Sequence, residues 1–229
     1  YRALLDSAAP IALKRSHRVI VGPYTHGFPN RTTCLGQVDF GPDALKENDA
    51  PNRWLLTMLK GGKAAEFMRA PIRLFVMGIN RWRDEYEWPL RRTRFTKHFL
   101  HSGGCANTLQ GDGALSTRAP ADESIDRFSY NPANPVPTLG GNHSVGPYNP
   151  GLYEICLPGP YDQRPVERRD DVLVYTSDPL RADLEITGPV VVKLYAATSA
   201  RDTDFVARLT DVHPDGRSIN LTEGILRAR

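Results

Sequence analysis

The most regular pattern along the chain is a series of short apolar runs, rich in β-branched and aromatic residues, each closed by a turn signal. Glycine, proline, asparagine and aspartate stand between the runs, and these residues favour turns. Short strands punctuated in this way are typical of an antiparallel sandwich or a jelly roll. The predicted strands are 19–21, 72–77, 94–100, 171–176, 184–187, 190–196 and 205–212.

One segment has helical spacing instead. Asp49 can cap the first turn of this helix, Pro51 suits that turn, and Gly61 suits the end of the helix. The sequence therefore predicts a helix over residues 50–60. Its apolar side chains share one face, and they are Trp54, Leu55, Met58 and Leu59.

The pattern changes after this helix. No second long helix is predicted beyond Gly61 and Gly62, and residues 101–168 are rich enough in glycine, proline, asparagine and aspartate to predict long ordered loops. We place a domain boundary near residues 61–70.

Composition narrows the class of protein. Glycine and proline contribute 19 residues each to a chain of 229. Both break helices, so a helical bundle or coiled coil is disfavoured. The charged share of 24% and the apolar share of 40% fit a globular chain rather than a disordered one. No run approaches the ~18 consecutive apolar residues of a membrane span, so no membrane association is expected.

Charge gives no indication of a polyanionic partner. The chain has 29 basic and 26 acidic residues, a net charge of +3, and the two signs are intermixed. Its densest basic stretch, residues 91–98, follows an acidic one and is explained by a solvated face. Nucleic-acid binding requires a sustained one-sided patch, so no nucleic-acid partner is expected.

The three cysteines are Cys34, Cys105 and Cys156. Their odd number and wide separation predict neither a disulfide framework nor a metal-binding pair, which favours a reducing, cytoplasmic compartment.

His26 is the leading catalytic candidate. It lies on a glycine-flanked loop just beyond the predicted strand 19–21, a place from which an imidazole could act as general base on a nucleophile. In α/β-hydrolases the triad runs Ser, then Asp or Glu, then His, so a chain holding only the last part of such a domain could retain the His alone. By local pattern alone, a surface histidine remains the commoner interpretation.

Other reactive side chains have simpler explanations. Ser102 adjoins His101, but neighbouring side chains on a strand point to opposite faces, so a turn serine is favoured. Asp202 with Asp204, and Asp211 with His213, resemble loose metal sets, yet turn capping is favoured because no further ligand has a recognisable spacing. The sequence lacks G-x-S-x-G, GxGxxG and Walker motifs, so no cofactor or metal is predicted.

Three aromatic residues, Trp82, Tyr86 and Trp88, are interleaved with acidic residues. They could bind a sugar or line a pocket. Packing at a domain interface is the favoured interpretation.

A series of motifs in order along nearly the whole chain resembles CocE/NonD-type serine hydrolases, the family of cocaine esterases and X-Pro dipeptidyl-peptidases. Their recurrence in sequence is far more specific than any single motif. The residues that carry the resemblance are 22–27, 53–56, 59–61, 76–83, 88–89, 100–104, 130–138, 162–164, 171–176, 187–189 and 202–205.

The resemblance implies a mixed fold: the C-terminal end of an α/β-hydrolase domain over residues 1–66, then a mainly antiparallel β jelly-roll domain over residues 67–229. His26 matches the histidine of the family's Ser-Asp-His triad, whereas the serine, the aspartate and the oxyanion-hole tyrosine have no counterpart here. Tyr24 stands where the family usually has tryptophan. We therefore expect a fragment cut at both ends, ending within a strand near residues 224–229 and inactive by itself.

The activity implied by the resemblance is cleavage of an ester or amide bond in a small-molecule or peptide acyl substrate, without a cofactor. Esterases, dipeptidyl-peptidases and acylases share these motifs, so the substrate and the oligomeric state stay open. The alternative is a non-catalytic, galactose-binding-like β-sandwich that binds a glycan or serves as a structural domain. It accounts for residues 70–229 but leaves residues 19–27 unexplained.

Overall fold

The structure is a computed structural model that describes residues 1–25, 32–122, 124–142 and 158–228. The chain divides into two compact units. Among the described residues, the first unit comprises Tyr1–Thr93, Asn142 and Thr187–Val191, and the second unit comprises the rest.

The first unit is built around a small mixed sheet. Strand β1 (Val19–Val21) pairs in parallel with β4 (Ile72–Val76), and β4 pairs in antiparallel fashion with β5 (Arg81–Glu85). The other elements of this unit are helices α1 (Arg2–Asp6), α2 (Ile11–Ser16), α3 (Ala50–Leu59) and α4 (Ala64–Phe67), a 3₁₀ helix (Pro42–Leu45), and the short strands β2 (Cys34–Leu35) and β3 (Val38–Asp39).

Helix α3 confirms the predicted helix: it begins at Ala50 as expected and ends at Leu59, one residue early, and only its N-cap differs in kind. Gly61 ends the helix region at a φ of 73°, a conformation that glycine adopts without steric cost. Asp49 occupies the N-cap position, but its side chain caps no backbone N–H and instead accepts a 3.0 Å hydrogen bond from Asn52 Nδ2. The apolar face is less buried than its pattern suggests, since Leu59 is 73% exposed.

The core of the first unit lies beside the sheet. Phe40, Ala44 and Phe75 are buried together, and Leu35, Val38 and Trp82 pack against them. The predicted strand 19–21 is confirmed as β1, although it is half-buried rather than fully buried, with Val21 54% exposed.

The second unit contains two hairpin-like strand pairs and little helix. Strand β6 (Phe99–His101) pairs with β7 (Ala114–Ser116), and the longer strand β8 (Thr203–Val212) pairs with β9 (Ser218–Ala228). Helix α5 (Arg164–Glu167) is a single turn. Strand β8 confirms the prediction for 205–212, and β9 confirms that the end of the chain has strand character.

Other strand predictions were wrong in extent or in kind. Only the end of 94–100 is regular, and 171–176 forms isolated bridges at Leu173 and Thr176. Residues 184–187 and 190–196 form no strand, and Tyr195 is 86% exposed. A β pattern becomes a regular strand only beside a partner in register, and no ladder reaches these residues within the described chain.

The described chain is therefore β-rich, with small sheets that are mostly antiparallel and few helices. The jelly-roll arrangement and the domain boundary at 66/67 stay predictions. No helix among the described residues is long and apolar enough to cross a membrane.

Candidate active site

The loop that follows β1 is the place where the sequence predicts chemistry. Strand β1 is fixed by its register with β4, in which Val21 lies opposite Leu74. The chain then turns sharply, because the backbone N–H of Tyr24 donates a 2.8 Å hydrogen bond to the carbonyl of Gly22. His26, the predicted catalytic residue, lies outside the described residues, so the structure describes this loop up to Thr25.

An aromatic row, which we define as Tyr24, Trp82, Phe75 and Phe40, connects this turn to the core of the first unit. The ring centroids of Tyr24 and Trp82 are 6.2 Å apart, and those of Trp82 and Phe75 are 5.3 Å apart, with the latter pair edge to face. Phe75 in turn meets Phe40 at 6.1 Å, again edge to face. Such arrangements are favourable for aromatic quadrupoles.

Trp82 is the best-anchored member of the row. It lies opposite Phe75 in the ladder between β4 and β5, so the two side chains project from the same face of the sheet. Its indole Nε1 donates a 2.7 Å hydrogen bond to the carbonyl of Asp43 in the 3₁₀ helix. Two separate elements therefore determine where the indole ring lies.

Gly22 allows the turn to approach this ring. A Cβ atom at position 22 would lie 2.5 Å from Cε2 of Tyr24 and 2.7 Å from Cη2 of Trp82. Both distances are shorter than the contact distance between nonbonded carbon atoms. The backbone of Gly22 is not in the left-handed region. The requirement for glycine here is one of space rather than of backbone conformation.

The surroundings of Tyr24 keep its phenol neutral. Burial, and after it the negative charge of Glu47, raises the pKa of Tyr24 to about 12. Glu47 is itself buried and paired with two cations, at 2.5 Å from Arg53 and 2.6 Å from Arg73. The ring of Tyr24 acts as a packing surface at neutral pH.

Ser102 lies in a hydrogen-bonded cluster, which agrees with the prediction that it is a serine of a turn. Its hydroxyl donates a 2.6 Å hydrogen bond to Asp126, and the phenol of Tyr175 donates another of 2.6 Å to the same carboxylate oxygen. Nε2 of His101 instead lies 2.8 Å from the carbonyl oxygen of Arg118. The structure does not pair Ser102 with His101.

Asp126 is the centre of that cluster, and no sequence pattern indicated it. The backbone N–H of Ala106 donates a 2.9 Å hydrogen bond to its second oxygen. Burial opposes ionisation of Asp126, but the hydrogen bonds from Ser102, Tyr175 and Ala106 outweigh it and lower the pKa of this carboxyl.

The acidic residues near the end of the chain lie beside basic side chains. Arg227 Nε lies 3.3 Å from Asp202 and 3.0 Å from Asp204, and Asp211 lies 3.6 Å from Nε2 of His213. The turn-capping interpretation is wrong for Asp204 and Asp211, because both lie inside β8, opposite Arg227 and Ile219. No group of three His, Cys, Asp or Glu side chains suited to a metal ion occurs in the part of the chain that the structure describes.

The remaining candidates have ordinary surroundings. Trp82 is a packing residue, with its aromatic contacts inside the first unit, whereas Tyr86 is 68% exposed. Cys34 and Cys105 are free, exposed thiols. Cys156 lies outside the described residues.

Comparison with known proteins identifies the family. A family profile described as the X-Pro dipeptidyl-peptidase C-terminal non-catalytic domain matches residues 66–229, well over half of the chain. The chain belongs to this family. The match confirms the resemblance to CocE/NonD-type hydrolases that the motifs indicated.

Individual relatives of this X-Pro dipeptidyl-peptidase C-terminal domain family are esterases by name. Cocaine esterase from Rhodococcus sp. (strain MB1 Bresler) is 42% identical over 216 residues, which is 93% of this chain and 36% of the relative. Two proteins that carry the name serine esterase, from Mycobacterium bovis and Mycobacterium tuberculosis, are 31% identical over 213 residues, 92% of this chain and 30% of each relative. The chain spans about a third of the length of the curated relatives it matches.

Proposed function

We propose that the complete protein is a serine hydrolase of the CocE/NonD type, which cleaves an ester or amide bond of a small-molecule or peptide acyl substrate. The observation that carries this proposal is the 42% identity to a cocaine esterase over 93% of the chain. An alignment of that extent includes most of the segment before residue 66, where His26 lies. The glycan-binding alternative has no support from these comparisons.

We assign His26 the role of general base in a Ser-Asp-His triad. It would take the proton from the serine hydroxyl during attack and return it to the leaving alcohol or amine, while the aspartate would hold the imidazole tautomer. The serine and the aspartate would lie upstream of Tyr1. The position of His26 after a strand and a tightly packed turn supports this role.

The proposed organisation has residues 1–66 as the last part of the catalytic domain and residues 67–229 as a C-terminal jelly-roll domain. The parallel pairing of β1 with β4 supports α/β character in the first unit, because parallel neighbours require a crossover connection, and it extends this sheet past residue 66 to Val76. The start of the family match at residue 66 supports the boundary.

The test is substitution of His26 in the complete protein, with a short-chain nitrophenyl ester as substrate. We expect His26→Ala to lower kcat on the order of 10⁴-fold or more. The matched control is His101→Ala, which removes an imidazole that lies against the carbonyl oxygen of Arg118 and should leave kcat within about twofold. A loss below about tenfold for His26→Ala would overturn the assignment.

A second experiment tests which class of substrate the complete protein cleaves. We expect the nitrophenyl ester to be a better substrate than an X-Pro dipeptidyl anilide or an acyl amide, because the relatives matched in sequence are named as esterases. Ratios of kcat/KM across these three substrates decide between esterase, dipeptidyl-peptidase and acylase.

A further inference from the structure

We infer that Trp82 is a positioning residue for the proposed catalytic histidine: through Tyr24, it holds the Gly22–Thr25 turn from which residue 26 follows. This inference rests on the proposed function of His26. Trp82 would act through the turn and would not touch the substrate.

The indole ring of Trp82 is held in place by several independent contacts. Its ring is set by the pairing of β5 with β4, by the edge contact with Phe75 at 5.3 Å and by the 2.7 Å hydrogen bond to Asp43. Phe75 belongs to the buried core of the first unit. A side chain held by a strand, a core residue and a hydrogen bond can serve as a fixed reference surface.

The Gly22–Thr25 turn packs closely against the indole ring of Trp82. The ring of Tyr24 lies against Trp82, the N–H of Tyr24 closes the turn onto Gly22, and Gly22 has no Cβ where both rings approach. A small shift of the indole would therefore displace the turn. The contact depends on three residues that come from two separate segments of the chain.

The covalent chain links the position of Tyr24 to that of residue 26. Only Thr25 separates Tyr24 from residue 26, and consecutive Cα atoms are about 3.8 Å apart, so the place of Tyr24 limits where residue 26 begins. A general base must stand within hydrogen-bond reach of its nucleophile. A displacement of about 1 Å by a mutation outside the reacting groups can cost about 100-fold in rate.

The experiment alters the contact from each side in the complete protein. Trp82→Leu removes the indole, and Gly22→Ala adds the methyl group that both rings exclude while its backbone conformation remains open to alanine. The readouts are KM, and kcat per active site as titrated with a serine-directed phosphonate. Such titration removes any effect of misfolded molecules on the rate.

We expect each variant to lower kcat per titrated site about 10- to 100-fold, with KM within about threefold. Tyr24→Trp, which restores the usual family aromatic, should keep at least about half of kcat. Trp54→Leu is the matched control: it removes a half-buried indole of helix α3, outside the aromatic row, so it should lower the Tm yet leave kcat per site within about twofold.

A double-mutant cycle decides whether the effect passes through residue 26. Adding Trp82→Leu to His26→Ala should change the residual rate by less than about twofold, since there is no longer a base to position. The inference is overturned if either single variant keeps its kcat per site, or if Trp82→Leu lowers the rate equally with and without His26. If His26→Ala by itself lowers kcat less than about tenfold, the proposed function is wrong, and this result is distinct from a failure of the inference about Trp82. If Trp82→Leu does not fold, the kcat per site of Gly22→Ala alone decides whether the inference stands.

Discussion

The hydroxyl of Ser218 donates a 2.6 Å hydrogen bond to Oε1 of Glu167, and both residues are buried. Oε2 of Glu167 has no hydrogen-bond partner among the described residues. Burial of a carboxyl disfavours its charged form. Burial foremost, and the nearby charge of Asp162, raise the pKa of Glu167, although Ser218, Arg164 and Arg208 act in the opposite direction.

The free energy of unfolding should therefore fall as the pH rises through the pKa of Glu167, which is the opposite of the usual effect of a carboxyl group. Its pKa is raised in the folded state above its ordinary value of 4.5, so its contribution is fully present below pH 4.5 and is lost as the pH rises through the folded pKa. Glu167→Gln removes this titration and keeps an acceptor for Ser218. We expect the free energy of unfolding of the variant, relative to wild type, to increase as the pH rises above 4.5.

Denaturant unfolding of the complete protein between pH 4 and pH 8 tests this expectation. The control is Asp178→Asn, which neutralises an exposed carboxylate in the same unit and should give a nearly constant difference from wild type. A constant difference for Glu167→Gln as well would contradict the prediction.

Asp162, on the other side of Ser218, should show the opposite dependence. The Arg164 guanidinium foremost, with help from the Ser218 and Arg164 backbone N–H groups, lowers the pKa of Asp162 to about 2. Its contribution is present above pH 3.8 and is lost as the pH falls towards 2. Asp162→Asn should lower the free energy of unfolding by about 1–2 kcal/mol at neutral pH, allowing for solvent screening.

The measurement for Asp162 is denaturant unfolding of the wild type and the variant at pH 7 and at pH 2.5. The difference between the two proteins should shrink at the lower pH, where wild-type Asp162 also begins to be protonated. An undiminished difference at pH 2.5 would mean that the carboxylate charge is not what stabilises this turn.

The hydrogen-bonded cluster at Asp126 predicts that Ser102 is structural. Ser102→Ala removes one of the donors to Asp126 and should cost about 1 kcal/mol, with kcat within about twofold. Asp126→Ala leaves Ser102, Tyr175 and the Ala106 N–H without their acceptor and should cost about 2–4 kcal/mol. Denaturant unfolding and phosphonate labelling of each variant provide the check. Loss of labelling in Ser102→Ala would instead make this serine the nucleophile.

Glu47 and Asp84 give a matched comparison of a buried and an exposed carboxylate on the same arginine. Arg73 contacts both at 2.6 Å, but the side chain of Glu47 is 8% exposed and that of Asp84 is 40% exposed. Glu47→Ala also leaves Arg53 without its carboxylate and should cost about 2–4 kcal/mol, whereas Asp84→Ala should cost about 0–1 kcal/mol. Equal losses in denaturant unfolding would show that burial does not decide the strength of these pairs.

Some of the fold could be predicted because its signals are local. Helix α3 has its apolar spacing, its early proline and its final glycine within a few residues of one another. Strand β8 carries apolar residues at alternating positions, Phe205, Ala207 and Leu209, and the turn after it contains Pro214 and Gly216. Patterns of this kind report what the backbone prefers before any distant contact forms.

The errors fall where a local preference lacks a partner. Residues 190–196 have strong β character, yet they form no ladder and Val191 is 79% exposed. Aspartate is a residue type that favours turns, yet Asp204 lies in strand β8 and pairs with Arg227 across the ladder. Strand formation depends on the neighbour as much as on the segment itself.

The motifs of the sequence suffice to indicate the family, and local signals suffice to predict helix α3 and strand β8, whereas the catalytic role of His26 stays a prediction. The contact of Tyr24 with Trp82, the hydrogen bonds from Ser102 and Tyr175 to Asp126, and the place of Ser218 between two acids could be seen in the folded structure alone. The physical reason is that each of these contacts joins residues far apart in the chain. Their meeting depends on strand register, packing and burial, which no spacing in the sequence records.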